Sequence, residues 1–210
     1  MGELILLRHG ETEWSRDRRH TGRTDLPLTG RGERQARSVA PLVRSLHVAK
    51  VLASPARRAL RTAQLAGLAV DDVEPGLWEW DYGGYEGLTT AQIRRGRPGW
   101  YLWDDGVVPG DAEHPGETVE QVGTRVDAVL ERVRPLLDGD GGGDVVLVAH
   151  GHVLRVLTAR WLGLEPAAGR LFALGTAALS RLGREHGRPV ITAWNISPRF
   201  GRDRSFGPGV

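Results

Sequence analysis

The segment Asp144-Val145-Val146-Leu147-Val148-Ala149-His150-Gly151 decides how this chain folds. A short apolar run rich in β-branched residues, bounded by a turn signal, reads as a strand buried on both faces. Before it lies the polar run Asp138-Gly139-Asp140-Gly141-Gly142-Gly143-Asp144, read as a surface linker. No Lys-Ser/Thr follows that glycine run, so it does not form a phosphate-binding loop. After it comes a helical pattern to about Leu162. A second segment of the same form opens the chain: Glu3–Leu7 is apolar and runs into Arg8-His9-Gly10.

Working outward, Thr29–Leu46 has helical spacing, with Pro41 as a kink or break. Lys50–Ala53 reads as a second short strand. Ser54 suits the N-cap and Pro55 the first turn of a helix running through about Gly67. Val70–Val73 is a candidate third strand. Residues 78–116 are irregular and rich in Gly, Pro and Trp, with a short helix near Thr89–Arg95. Glu117–Leu137 reads as a long helix. Thr176–Leu182 and Pro189–Trp194 read as a terminal hairpin, and the tail from about Ser197 is set apart from the fold. These elements predict one α/β domain spanning 1–210. Its architecture is a three-layer sandwich with a mostly parallel central sheet, helices on both faces and a C-terminal antiparallel hairpin.

Composition narrows the function. The chain has 210 residues, enough for a full core without staples, and no cysteine to make one. That excludes disulfides and thiolate metal sites. Neither a signal-peptide pattern at the N-terminus nor a run of about 20 apolar residues is present, so a cytoplasmic protein without a membrane partner is expected. Lys50 is the only lysine, and the basic side is otherwise arginine. Codon bias accounts for this as readily as phosphate recognition, for which the guanidinium fork is suited. Charges alternate in sign and form no long basic block, which argues against a nucleic-acid partner.

In open α/β sheets the reactive groups collect at the carboxyl ends of strands. Two strands here end in histidine-glycine, at His9-Gly10 and His150-Gly151. One such histidine is ordinary structure; two on one sheet edge suggest a metal site, a base with its orienting partner, or a phosphate site. A third ligand at metal spacing is lacking, and His152 is expected to point elsewhere along its helix. Gly-x-Ser-x-Gly is also missing. Arginine favours phosphate: Arg8 adjoins His9, and Arg57 and Arg58 lie in the first turn of a helix whose free N–H groups attract anions.

Leu7-Arg8-His9-Gly10-Glu11-Thr12, Ser54-Pro55-Ala56-Arg57-Arg58-Ala59, Glu79 within Leu77–Gly87, and His150-Gly151 occur in that order. Together they resemble the motifs of the histidine phosphatase superfamily, also called phosphoglycerate mutase-like, over about residues 3–195. The resemblance implies phosphorylation of His9. Arg8, Arg58, His150, the Gly151 amide and Ser15 would bind the phosphate, although the family often has Asn at the Ser15 position. Arg58 is chosen over Arg57 and Arg61 because it directly precedes Ala59. Glu79 would protonate the leaving alcohol and then take a proton from water. Trp78, Trp80 and Tyr82 would shield it from solvent.

Seventy-one positions separate Glu79 from His150. That leaves little room for the insertion of the mutase branch, so hydrolysis is expected over mutase chemistry or a non-catalytic phosphate-binding adaptor. Finer motifs, including Thr21–Thr29 and Gly116-Glu117-Thr118, resemble a subgroup containing actinobacterial acid phosphatases and fungal sedoheptulose 1,7-bisphosphatase. The expected partner is a small phosphorylated metabolite such as a sugar phosphate, with no cofactor and no metal, and a homodimer left open. Thr21, Gly22, Arg23 and Tyr82 are candidate substrate contacts. His20, His114 and Arg155 are further candidates, with Arg23, for a second phosphate, and His152 has no assigned role. Five of the seven tryptophans, Trp14 and those from Trp78 to Trp103, are read as core or as a water-excluding wall.

Overall fold

In the computed structural model, which describes residues 2–138 and 142–197, six strands form one sheet. In chain order the elements are β1 (Leu4–Arg8), α1 (Glu13–Arg16), α2 (Gly30–Arg44), β2 (Val48–Ala53), α3 (Arg57–Leu65) and β3 (Asp72–Val73). They continue with α4 (Thr90–Gly96), α5 (Leu102–Asp105), α6 (Val119–Asp138), β4 (Asp144–Ala149), α7 (Gly151–Trp161), β5 (Leu179–Glu185) and β6 (Arg188–Ile196). The strand order is β3-β2-β4-β1-β5-β6, parallel from β3 to β1 and antiparallel at β5 and β6. The expected α/β architecture with a C-terminal hairpin is observed. The central part of the glycine linker and the tail after residue 197 lie outside the described residues.

The apolar runs alternate between two cores, as the two-residue period of a strand requires. Leu4 and Leu6 of β1, with Val145 and Leu147 of β4, face α6 and α7. Ile5, Leu7, Val146 and Val148 face α2 and α3. Leu4 through Leu7 are all at 0% exposure. Each such side chain contributes about 1.5–3 kcal/mol of burial.

Two local expectations change. Pro41 lies inside α2 without ending it. The helix after Ser54-Pro55 begins at Arg57 with Ala56 as its N-cap, not at Pro55. The Ser54 hydroxyl is engaged by His150 Nε2 at 2.7 Å and does not cap that helix.

Candidate active site

The β1–β4 ladder places the two histidines together. Arg8 pairs with Ala149, and the next amide, His9 N–H, donates to the Ala149 carbonyl at 2.9 Å. The His9 carbonyl accepts from Ala177 N–H at 3.0 Å, so its backbone is held from both sides. The rings of His9 and His150 meet edge-on with centroids 5.2 Å apart.

The His9 Nδ1 lies 2.7 Å from the Gly10 carbonyl. A carbonyl only accepts, so Nδ1 carries the proton and Nε2 presents its lone pair. Burial first, then the charges of Arg58 and Arg8, push the imidazolium of His9 well below the ordinary histidine range. The ring is therefore neutral and nucleophilic. Gly10 N–H donates to Thr62 Oγ1 at 3.0 Å, and that hydroxyl donates to the Arg58 carbonyl at 2.7 Å, tying the turn to α3. A side chain at Gly10 would run into the Gly32 carbonyl at 2.4 Å.

Arg58 is at 0% exposure. Its Nε donates to His150 Nδ1 at 3.1 Å, Nη1 to the Thr24 carbonyl and Nη2 to the Gly22 carbonyl, both at 2.9 Å. Because Nε can only donate, His150 is protonated on Nε2 and donates to Ser54 Oγ. Burial, with Arg58 second, holds His150 neutral as well. Arg8 Nη1 donates to the Leu174 carbonyl at 2.5 Å, while its Nε–H is buried with no hydrogen-bond partner among the described residues. An unpaired buried donor is costly, and here it belongs to a cation beside the nucleophile. Arg57 and Arg61 point away, to Asp25 and Glu33.

Glu79 comes from the irregular segment, yet its carboxyl is anchored on α7. Oε1 accepts from Trp80 N–H at 3.0 Å and Val153 N–H at 2.8 Å, and Oε2 from His152 N–H at 3.0 Å. His150, the N-cap of α7, makes no side-chain cap bond; the Glu79 carboxyl caps the first turn instead. Arg125 of α6 holds the Glu79 backbone from the other side.

Other predicted residues fall less simply. The Ser15 hydroxyl donates to the Thr12 carbonyl and accepts from Thr12 N–H, closing the capping box of α1, so its one proton is committed there. The Gly22 amide is held by both Glu86 oxygens at 2.9 Å and its carbonyl by Arg58, so Gly22 shapes the loop with its own polar groups spent. Thr21 Oγ1 donates to the Arg19 carbonyl. Tyr82 is buried, its hydroxyl 2.6 Å from His152 Nδ1. His20 is buried against Tyr82 and Trp100, and His114 pairs with Asp111 on an exposed loop. Arg155 lies over Trp103.

The tryptophans divide. Trp80, Trp100 and Trp103 belong to the core, and the last two wall a cavity of about 660 Å³ whose lining excludes His9, Arg8, Arg58, Glu79 and His150. Trp78 faces the reactive cluster, parallel to the His150 ring within 5° at 6.4 Å, with the Arg23 guanidinium 5.5 Å from its own ring. Sequence reasoning missed Ser54 as a partner of His150, Thr62 as the tie to Gly10, and Arg125. The one sequence signal near Arg125 is Gly116-Glu117-Thr118, since Glu117 is its ion-pair partner at 2.8 Å.

The model of the histidine phosphatase superfamily (branch 1) matches residues 4–197. An acid phosphatase of Mycobacterium tuberculosis is 45% identical over 186 residues, covering 88% of this chain and 87% of the relative. Sedoheptulose 1,7-bisphosphatase of Saccharomyces cerevisiae is 35% identical over 189 residues, covering 76% and 67%. A probable phosphoglycerate mutase of an Enterobacter species is 32% identical over 204 residues, covering 93% and 91%. Among solved structures, that of an open reading frame of M. tuberculosis has a TM-score of 0.85 at 41% identity, covering 94% of this chain and 99% of that one.

Proposed function

The chain belongs to the histidine phosphatase superfamily, and from that premise we propose that it hydrolyses phosphate monoesters of small metabolites, sugar phosphates among them, through a phosphohistidine on His9. The observation that carries this reading is the bare Nε2 lone pair of a neutral, buried His9 beside two guanidinium groups.

His9 Nε2 attacks phosphorus as the ester P–O bond breaks, giving an N–P bond and an alkoxide. Glu79 passes its proton to the alkoxide, which leaves as the alcohol. The ring then carries positive charge, which the Gly10 carbonyl shares at Nδ1. Arg8 and Arg58 offset the charge on the non-bridging oxygens, and the buried Arg8 Nε–H gains an acceptor. His150 joins them by exchanging Ser54 for a phosphoryl oxygen, an exchange favoured because a charged acceptor outcompetes a hydroxyl. Water then gives a proton to Glu79 and attacks phosphorus. The N–P bond breaks, and inorganic phosphate and neutral His9 return.

Sugar phosphates as substrates follow from the names of the relatives and from Arg23. That guanidinium lies over Trp78 on a side chain 34% exposed and is only loosely paired, 3.9 Å from both Asp81 and Glu117. Its exposure and loose pairing support its taking a second anionic group. Mutase chemistry is the second reading, favoured by relatives named probable phosphoglycerate mutase.

The test is p-nitrophenyl phosphate hydrolysis by the wild type and His9→Ala, with acid-labile phosphate trapped on the protein. Equal activity in both, or an inert wild type, removes His9 as the nucleophile. Fast 2-phosphoglycerate formation from 3-phosphoglycerate in the presence of 2,3-bisphosphoglycerate favours the mutase.

A further inference from the structure

Arg125 spends every N–H it has on one purpose. Nε donates to Glu117 Oε1 at 2.8 Å and Nη2 to Glu117 Oε2 at 3.0 Å. Nη1 donates to the carbonyls of Gly76 at 2.8 Å and Trp78 at 2.6 Å, and Nη2 also to that of Glu79 at 3.1 Å. A guanidinium has five donors in one plane, and all five are committed.

Glu117 completes the attachment. Its Oε2 accepts from Asp81 N–H at 2.9 Å, its carbonyl accepts from Trp80 Nε1 at 2.8 Å, and its amide donates to the Asp81 carbonyl at 3.0 Å. The segment 76–81 lies outside α-helix and strand, so its carbonyls need donors from elsewhere. One planar cation supplies three converging donors, and Glu117 fixes its plane and balances its charge. Both side chains are mostly buried, at 17% and 15% exposure.

We propose that Arg125 and Glu117 are a positioning pair for the proton donor: they fix the Glu79 backbone to α6 while α7 fixes its carboxyl, so the acid meets the leaving oxygen in one place. This rests on the reading of Glu79 as the proton donor. Arg125 touches no substrate and acts through Glu79. A lysine at 125 keeps the charge but not the planar fork.

The experiment compares wild type, Arg125→Lys, Glu117→Gln and, as reference, Glu79→Gln. Single-turnover phosphorylation of His9 is measured from glycerol 2-phosphate, whose alkoxide needs a proton, and from p-nitrophenyl phosphate, whose leaving group does not. Orthovanadate affinity reads the phosphate-binding residues independently. Arg125→Lys is expected to slow phosphorylation from glycerol 2-phosphate about 10–100-fold. The p-nitrophenyl rate and vanadate affinity are expected to stay within about threefold. If Arg125→Lys does not fold, Glu117→Gln carries the same expectation. Equal losses on both substrates, no loss on either, or a parallel loss of vanadate affinity overturns the proposal. If Glu79→Gln itself treats the two substrates alike, the assignment of Glu79 fails first and takes the positioning pair with it.

Discussion

Gly151 lies tight against Arg8: a methyl on its Cα would stand 3.2 Å from the guanidinium carbon of Arg8 and 3.3 Å from its Nε. The first residue of α7 thus sets how close the Arg8 cation comes to the helix N-terminus. Gly151→Ala is expected to push the guanidinium back by a few tenths of an ångström. Vanadate affinity should fall about 3–10-fold, with thermal stability nearly unchanged. Vanadate binding as tight as wild type would show that Arg8 does not set the affinity.

Arg58→Lys tests the other cation. Its hydrogen bonds to His150, Thr24 and Gly22 run in directions a fork satisfies and an ammonium does not. At 0% exposure the loss cannot be made up by water. We expect kcat/KM to fall at least about tenfold and stability to fall about 1–3 kcal/mol, read by steady-state kinetics and denaturant unfolding. A variant with unchanged kcat/KM would remove Arg58 from the phosphate site.

Stability should decline on the acid side. Burial pushes the imidazolium of His9, His20 and His150 below the ordinary value, with Arg58 adding to the effect at His9 and His150. The folded chain keeps these rings neutral while the unfolded chain protonates near pH 6.5. As pH falls below about 6.5 the unfolded state binds protons that the folded state refuses, so unfolding free energy falls. Each ring contributes up to about 1.4 kcal/mol per pH unit. Urea midpoints that stay flat from pH 7 to 5 would contradict this. Catalysis should persist at acid pH, because His9 remains unprotonated there.

Arg23→Gln addresses substrate choice. If Arg23 takes a second anionic group, kcat/KM on a sugar bisphosphate should fall about tenfold, while a sugar monophosphate changes by less than about threefold. Equal changes on both substrates would return Arg23 to a surface role.

The most legible parts of the fold were those with strict periodicity. Asp144–Ala149 reads as a strand with the observed ends because both its faces are apolar, and the terminal hairpin is marked by two strand segments flanking a glycine-containing turn. The start of α3 differs from the expected Pro55 because local capping propensity competes with tertiary contact, and the Ser54 hydroxyl belongs to His150. α5, four residues long, carries too little periodicity to register. In the site, His9, Arg8 and His150 stood out because they end strands. Arg125 did not, because an arginine beside the apolar stripe Val122, Val126 and Val129 looks like a solvated face. Its meaning depends on carbonyls nearly fifty positions away in sequence.

The excursion from Trp78 to Gly116 leaves the sheet after β3 and returns at α6, while His9 and His150 are set by the β1–β4 ladder and Arg58 by α3. Glu79 and Trp78 carry the excursion into the reactive cluster, while Glu86 holds the Gly22 loop that Arg58 binds and Tyr82 meets His152 of α7. Phosphoryl transfer and substrate preference are therefore separately engineerable. Residues beyond Asp81 other than Tyr82 and Glu86 can be exchanged to recruit a different ester, provided the stretch from Gly76 to Asp81 keeps its attachment to α6 and α7.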